Sequence, residues 1–184
     1  LTALAGFFLA SKGHINWTLL LATITGVALG IASACVFNNY VDRGIDGKME
    51  RTKNRALVTG AIPPTTALIF ATILGLAGVT ILFIFTNITT IFLGAVGFFF
   101  YEVLYGITKR RSVWSTVMGA VSGARPPVAG YTAVTGRIDL GAILLFLILF
   151  FWQIPHFYAI AIYRLNDYKS AGIPIMPAVV GIFA

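Results

Sequence analysis

Charge is what this sequence has least of. Only 10% of its 184 residues are Asp, Glu, Lys or Arg, and six of them are acidic, whereas a soluble domain is about 25% charged. With 58% hydrophobic residues, a soluble core of this size could not hide so much apolar surface, so the solvent is lipid. Polar residues are also missing over long runs. His14 to Phe37, Thr65 to Thr86, Ile88 to Thr108, Val113 to Thr135 and Leu140 to Tyr163 each come close to the roughly 20 residues that cross a bilayer. Runs of that length exclude an unusually apolar soluble helical protein. The expected fold is all-α: a polytopic transmembrane helical bundle in one domain, residues 1–184, with five complete spans. Leu1 to Ala10 is too short to span, and a last apolar stretch opens at Pro177; each reads as half a helix of a longer chain. No basic segment followed by a small-residue cleavage site marks a secretory signal.

Cysteine is nearly absent as well. The single Cys35 excludes an internal disulfide and reads as a small, packed, apolar residue at a helix end; it says nothing of redox compartment. Histidine occurs twice. His14 lies at a helix boundary and reads as a solvated interface residue.

The charges that are present are unevenly placed. Arg43, Lys48, Arg51, Lys53 and Arg55 follow the first full run, Lys109, Arg110 and Arg111 the third, and Arg164 and Lys169 the fifth. The connections between hold only Lys12 on one side, no base near Asn87, and Arg137. This alternation is the positive-inside pattern and puts the basic loops in the cytoplasm. Topology therefore accounts for most of the net charge of +7 without a nucleic-acid partner. Within the runs, Gly26, Gly30 and Ala34 form a small-residue stripe suited to close helix packing, and Gly75 to Gly78 and Gly94 to Gly97 are expected to serve similarly.

One stretch, NNYVDRGIDGKMERTKNRAL from Asn38 to Leu57, holds three of the six acids and five of the bases. On a helix Asn38, Asp42 and Asp46 recur every fourth position and share a face, with Asn39 one turn before Asp42. Two carboxylates on one face repel unless a positive charge lies between them. Hard oxygen ligands at this spacing suit Mg²⁺, which takes one or two carboxylates and fills its shell with water and substrate phosphate. Asp42, Asp46 and Asn39 are the candidate ligands. Arg51, Lys53 and Arg55 downstream suit the remaining charge of a diphosphate. The plainer reading, a solvated loop whose acids neutralise its bases, serves for the bases alone. It does not explain the acids, which add nothing to topology, and ionisable residues at a membrane edge are functional candidates by default.

This stretch resembles the first aspartate-rich motif of the UbiA-type intramembrane prenyltransferases, and within them the haem O synthase (protohaem IX farnesyltransferase) branch. Asn38, Asp42, Asp46, Arg51, Thr52, Asn54 and Arg55 fit the superfamily pattern, while Asn39 stands where most members carry Asp, an Asn-Asn pair typical of that branch. YGITKRR resembles the Tyr-x-x-x-Lys-Arg motif through Tyr105, Lys109 and Arg110; SGARPPVAGY and WQIPHFYAIAIYRLNDYKSAGIPIMP extend the likeness over nearly the whole chain. Most relatives carry a second Asp-x-x-x-Asp cluster where this chain has only Asp167, with His156, Arg164, Asn166 and Lys169 near it.

The resemblance implies about nine helices in the complete protein and a Mg²⁺-dependent transfer of farnesyl from farnesyl diphosphate to a vinyl group of haem b. Asp42, Asp46 and Lys109 would be catalytic. Asn38, Asn39, Arg51, Arg55, Tyr105, Arg110, Arg125, His156, Asp167 and Lys169 would bind substrate, with Asp167 and Lys169 meeting the first cluster to complete a diphosphate cradle. The setting implied is a multi-pass protein of the cell inner membrane, its aspartate-rich motif on the cytoplasmic side, with room for an association with terminal oxidase assembly. Two readings stand for Arg125, whose charge costs at least ~2.5 kcal/mol mid-span: a haem propionate partner, or a pairing with Glu102. Pro126 and Pro127 beside it are expected to open the helix and expose carbonyls to a cavity. Two also stand for His156, an iron ligand through a neutral nitrogen or a packing residue. The rival functions are prenylation of an aromatic quinone precursor and, from another class, an ion-coupled transporter using Asp42 and Asp46. A transporter predicts acids near the midplane in interrupted helices, whereas these cluster at one edge beside five bases.

The charge alternation generates a direct test. Tags at Lys53 and Arg110 are expected to be protected from an impermeant label outside the cell, and tags near Asn87 and Arg137 to react with it. Labelling at Lys53 from outside would put the cluster on the wrong face.

Overall fold

The computed structural model describes residues 1–179 and 181, with the backbone alone for residues 102 and 103. The described residues form helices and no strand: α1 (Thr2–Ser11), α2 (Trp17–Asp46), α3 (Ala56–Thr59), α4 (Pro64–Phe85), α5 (Ile88–Phe99), a π-helical segment (Phe100–Tyr105), α6 (Gly106–Arg111), α7 (Ser115–Gly123), α8 (Arg125–Thr135), α9 (Leu140–Tyr163), α10 (Leu165–Ser170) and α11 (Met176–Val179). Among them three unbroken helices, α2, α4 and α9, are long and apolar enough to cross a membrane.

The other two expected spans are present but interrupted. The third is the continuous run of α5, the π segment and α6. The fourth breaks at Ala124, where α7 ends and α8 begins. The break follows from proline chemistry: Pro126 and Pro127 lack the N–H groups that would bond the carbonyls of Ser122 and Gly123. The expected opening toward a cavity is half filled from within, because Arg125 Nε donates to the Ser122 carbonyl at 3.1 Å.

The first span is longer than its apolar run. α2 starts with Asn16, whose side chain accepts from the Leu19 N–H, and continues through Asn38 to Asp46. Cys35, expected at a helix end, therefore lies inside α2. α9 starts on Asp139, whose carboxylate accepts from the Gly141 and Ala142 N–H groups at 3.0 and 3.3 Å. Burial pushes that carboxyl upward, but the bonds from Tyr131 and from these amides, with Arg137 nearby, hold it below its ordinary range.

The packing is inverted relative to a soluble protein. Buried positions are mostly Ala, Ser, Thr and Gly, including Ala71, Thr90, Ala120 and Thr132, while Leu76, Phe83, Ile84 and Phe151 are exposed. Lipid is as apolar as leucine, so helices associate through close backbone approach and hydrogen bonds. α2 and α4 meet at Gly26 and Gly78, where Ser33 Oγ also donates to the Ala71 carbonyl at 2.7 Å. α1 lies on α8 through Gly6 against the Pro127 carbonyl and Gly130 against that of Ala3. α5 is tied to α8 by Thr90 and Thr132 hydroxyls 3.1 Å apart and by Asn87 Nδ2, which donates to the Thr132 carbonyl at 2.8 Å. Gly75 serves packing as expected, sitting against Ser33, whereas Gly94 faces open space.

A Cβ at Gly78 would stand 2.9 Å from the Gly26 carbonyl and 3.0 Å from the Gly30 nitrogen, whereas one at Gly94 meets nothing within 4 Å. Gly78→Ala is therefore expected to cost about 1–3 kcal/mol of overpacking. Gly94→Ala should be neutral or stabilising by up to about 1 kcal/mol through helix propensity. Unfolding of the full-length protein in detergent measures both, and equal tolerance would rule out the α2–α4 contact.

Candidate active site

The polar cluster lies on the last turns of α2, so the four-residue spacing does place Asp42 and Asp46 on one face. Both are buried, at 1% and 4% relative exposure. Neither carboxylate is bare. Lys109 Nζ lies 2.5 Å from Asp42 Oδ2, and Arg110 Nη2 reaches Asp42 Oδ1 at 3.3 Å and the Val41 carbonyl at 2.7 Å. Arg55 Nη1 donates to Asp46 Oδ2 at 2.6 Å. A buried ion left alone costs several kcal/mol, which explains why each acid holds a base.

Local structure delivers those bases. After Asp46 the chain turns at Gly47, and Thr52 folds back so that its hydroxyl donates to the Asp46 carbonyl at 2.9 Å; Arg55 then returns beside Asp46. The π segment precedes α6 and resets the helix phase, so that Lys109 and Arg110 face α2. Such segments are frequent at functional sites. Tyr105, its last residue, stacks on Tyr101 with ring centres 5.6 Å apart, and Lys109 Nζ stands 5.8 Å from the Tyr105 ring centre.

A cavity of about 1210 Å³ opens beside this cluster, larger than the ~300–1,000 Å³ of an ordinary small-molecule site. Its walls are rich in Gly, with Ala, Ile, Leu, Val, Phe and Tyr from α2, α4, α5, α7 and α9, and Cys35 and Gly94 among them. Arg51, Tyr105 and Lys109 line the end near Asp42, joined by Arg164 and Tyr168.

The second polar region meets the first, as expected, but through the backbone. Asp167 Oδ1 accepts from the Glu50 N–H at 3.1 Å, and Ser170 Oγ donates to the Lys48 carbonyl at 2.9 Å. Beneath these bonds Met49 packs with Ala161, Ile173 and Ile175 in a buried apolar cluster. Lys169 is exposed. Asn38 and Asn39 are half-buried on α2, and neither side chain hydrogen-bonds within the described residues.

Two expected residues lie elsewhere. His156 is exposed on α9, stacked on Trp152 with centres 4.9 Å apart, and is not among the residues lining the cavity; Phe157 lines it instead. Arg125 does line it, along a different stretch of wall. Gly97, expected to pack helices, instead makes room for Arg125, since a Cβ there would coincide with the guanidinium. Among the described residues no acid pairs with Arg125, and the Glu102 side chain lies outside them. Gly123 makes similar room for Gln153, whose buried Oε1 has no hydrogen-bond partner among the described residues. Gly123 and Gln153 carried no sequence signal, because their roles depend on contacts between distant segments.

The residues present fit a divalent metal. No group of three or more His, Cys, Asp or Glu converges among the described residues. However, Mg²⁺ asks for only one or two carboxylates, and these two already attract cations at the positions a metal would neutralise.

A model of the UbiA prenyltransferase family matches residues 1–184. The chain is 52% identical over 183 residues to protoheme IX farnesyltransferases of Yersinia enterocolitica and of Edwardsiella ictaluri, covering 99% of this chain and 62% of each relative. It thus spans somewhat less than two thirds of their length. Its fold is similar to a UbiA homolog from Archaeoglobus fulgidus bound to GPP and Mg²⁺, with TM-score 0.79 and 16% identity over 98% of this chain and 64% of that one. An apo UbiA homolog from Aeropyrum pernix gives TM-score 0.77 and 22% identity over 98% and 67%.

The buried pair predicts a coupling. Lys109→Met strands the Asp42 carboxylate with only the longer Arg110 contact and should cost up to about 3–5 kcal/mol. Adding Asp42→Asn should recover part of that loss, giving a coupling of roughly 0.5–3 kcal/mol in a double-mutant cycle on unfolding. Strict additivity would mean that the two side chains do not interact.

Proposed function

The chain belongs to the UbiA prenyltransferase family over its whole length, and from that premise we propose that it transfers a farnesyl group from farnesyl diphosphate to a vinyl group of haem b. The observation that carries this reading is the pair of buried carboxylates, each already holding a base, at one end of a large apolar cavity. The likeness to relatives named protoheme IX farnesyltransferase supports haem over a quinone precursor as acceptor.

Asp42 and Asp46, with Asn39 and Asn38 assisting, would hold Mg²⁺, which neutralises diphosphate and so weakens its bond to the farnesyl carbon. Lys109, Arg110, Arg51 and Arg55 stabilise the charge that builds on the leaving group, as preorganised electrostatics rather than covalent catalysis. Lys109 and Arg110 leave Asp42, and Arg55 leaves Asp46, to take diphosphate oxygens. Asp167, by accepting from the Glu50 N–H, steadies the loop that carries Arg51, and Lys169 adds positive charge at the same end. Tyr105 walls off the reacting carbon, while the largely apolar cavity sheaths the farnesyl chain. The carbon–oxygen bond breaks with its electron pair going to diphosphate. The vinyl π electrons then attack the allylic cation, and water adds to the resulting cation with loss of a proton, giving the hydroxyethylfarnesyl product.

His156, exposed on α9 and outside the cavity lining, enters this reading as a residue stacked on Trp152 rather than as an iron ligand. The multi-pass chain sits in the cell inner membrane with this end cytoplasmic, where farnesyl diphosphate is supplied. An association with terminal oxidase assembly, which would receive the product, belongs to the same proposal.

The full-length protein given haem b, farnesyl diphosphate and Mg²⁺ should form haem O, measured by mass, and a chelator should abolish it. Asp42→Asn keeps the size and a hydrogen-bond acceptor for Lys109, so the protein should stay folded while transfer drops by roughly two to three powers of ten. Near-normal transfer by folded Asp42→Asn, or indifference to chelation, would reduce the segment from Asn38 to Asp46 to a structural helix end held by its ion pairs.

A further inference from the structure

Arg125 is a cation that nothing in the described protein neutralises. It stands mid-span, where a charge is costly, yet the fold makes room for it. Gly97 on α5 leaves the space that the guanidinium fills, and the carbonyl of Ser122, freed by Pro126, takes its Nε at 3.1 Å. The side chain thus leans on α5 and α7 at once, and both helices line the cavity along with Arg125 itself. One of its five N–H groups is used in this bond, and no described acid lies against it. A positioned guanidinium with open donors in an apolar cavity is suited to a planar, two-oxygen anion.

We propose that Arg125 is a carboxylate subsite for the acceptor, separate from the diphosphate end of the cavity. This rests on the reading of haem b as acceptor, and it fixes how that acceptor lies. Gly97 and Lys109 are twelve positions apart on one nearly continuous helix, which is roughly 18 Å along its axis. Haem b carries both carboxylates on one edge and its vinyl groups toward the opposite side. A propionate held at Arg125 therefore turns the vinyl edge toward Lys109 and the farnesyl carbon. Gly97 acts as a positioning residue, since any side chain there displaces the guanidinium.

Spectral titration of the full-length protein with haem b and with its dimethyl ester tests the subsite without relying on transfer. The wild type should bind the diacid about tenfold or more tightly than the ester. Arg125→Met and Gly97→Ala should each erase that preference while farnesyl diphosphate binds as before, and Arg125→Lys should restore part of it. Equal binding of acid and ester by the wild type overturns the subsite, and needs no variant to fold. So does a preference that survives Arg125→Met, or loss of the preference only when oleate is present, which would assign the site to a lipid carboxylate. Acid-selective binding without haem O formation would leave the subsite standing and remove the proposed reaction.

Discussion

Two carboxylates buried at the edge of a membrane protein must be paired, and much of this structure follows from that requirement. Asp42 and Asp46 hold Lys109, Arg110 and Arg55, and those contacts bind the end of α2 to α6 and to the returning loop. Because the partners are cations that also suit phosphate oxygens, the proposed binding of a diphosphate with its metal would be an exchange of partners. Lys109, Arg110 and Arg55 would pass from carboxylate to phosphate where a metal takes over the carboxylates. In a site of low dielectric, where an unpaired ion costs several kcal/mol, the ion pairs keep the unliganded protein foldable, and such an exchange would keep the bound state neutral.

Small residues then serve three different ends. At Gly26 and Gly78 they let backbones touch, which is how helices associate when lipid offers no hydrophobic drive. At Gly30 and Gly94, both in the cavity wall, an added Cβ would meet nothing, so there the missing side chains leave volume. Gly97 is a third case, where the absent Cβ is replaced by an arginine from another helix. Glycine composition alone does not separate these uses, since the outcome depends on what lies opposite.

That difference marks how far the sequence was legible. The four-residue recurrence of Asn38, Asp42 and Asp46 is a local property of a helix, and the structure keeps it. The run lengths located the three unbroken spans and the two interrupted helical runs, and Pro126 and Pro127 located the break in the fourth. Hydropathy did not reveal that α2 continues past Phe37, because a polar helix extending beyond the membrane looks like a loop by composition. The π segment left no trace, since its residues read as helical either way. The partners of the acids were named, through Lys109, Arg110 and Arg55, but not which base meets which acid. His156 was weighed on its rarity in an apolar helix, and rarity does not reveal the face it occupies.

The signs of the charges around the cavity decide between the two classes of function. A cation transporter needs acids or carbonyls at mid-membrane, where the ion sheds its water. Among the described residues that line this cavity the charged ones are Arg51, Lys109, Arg125 and Arg164, all basic. Asp42 and Asp46 are not in the lining, whereas Lys109, which pairs with Asp42, is, so a small monovalent cation entering along the wall meets positive charge first. An anion meets the reverse, with bases turned toward it and acids held back, where the proposed divalent metal would sit. The order of charges from cavity to backbone, bases then acids, suits a diphosphate with its metal and repels a transported ion.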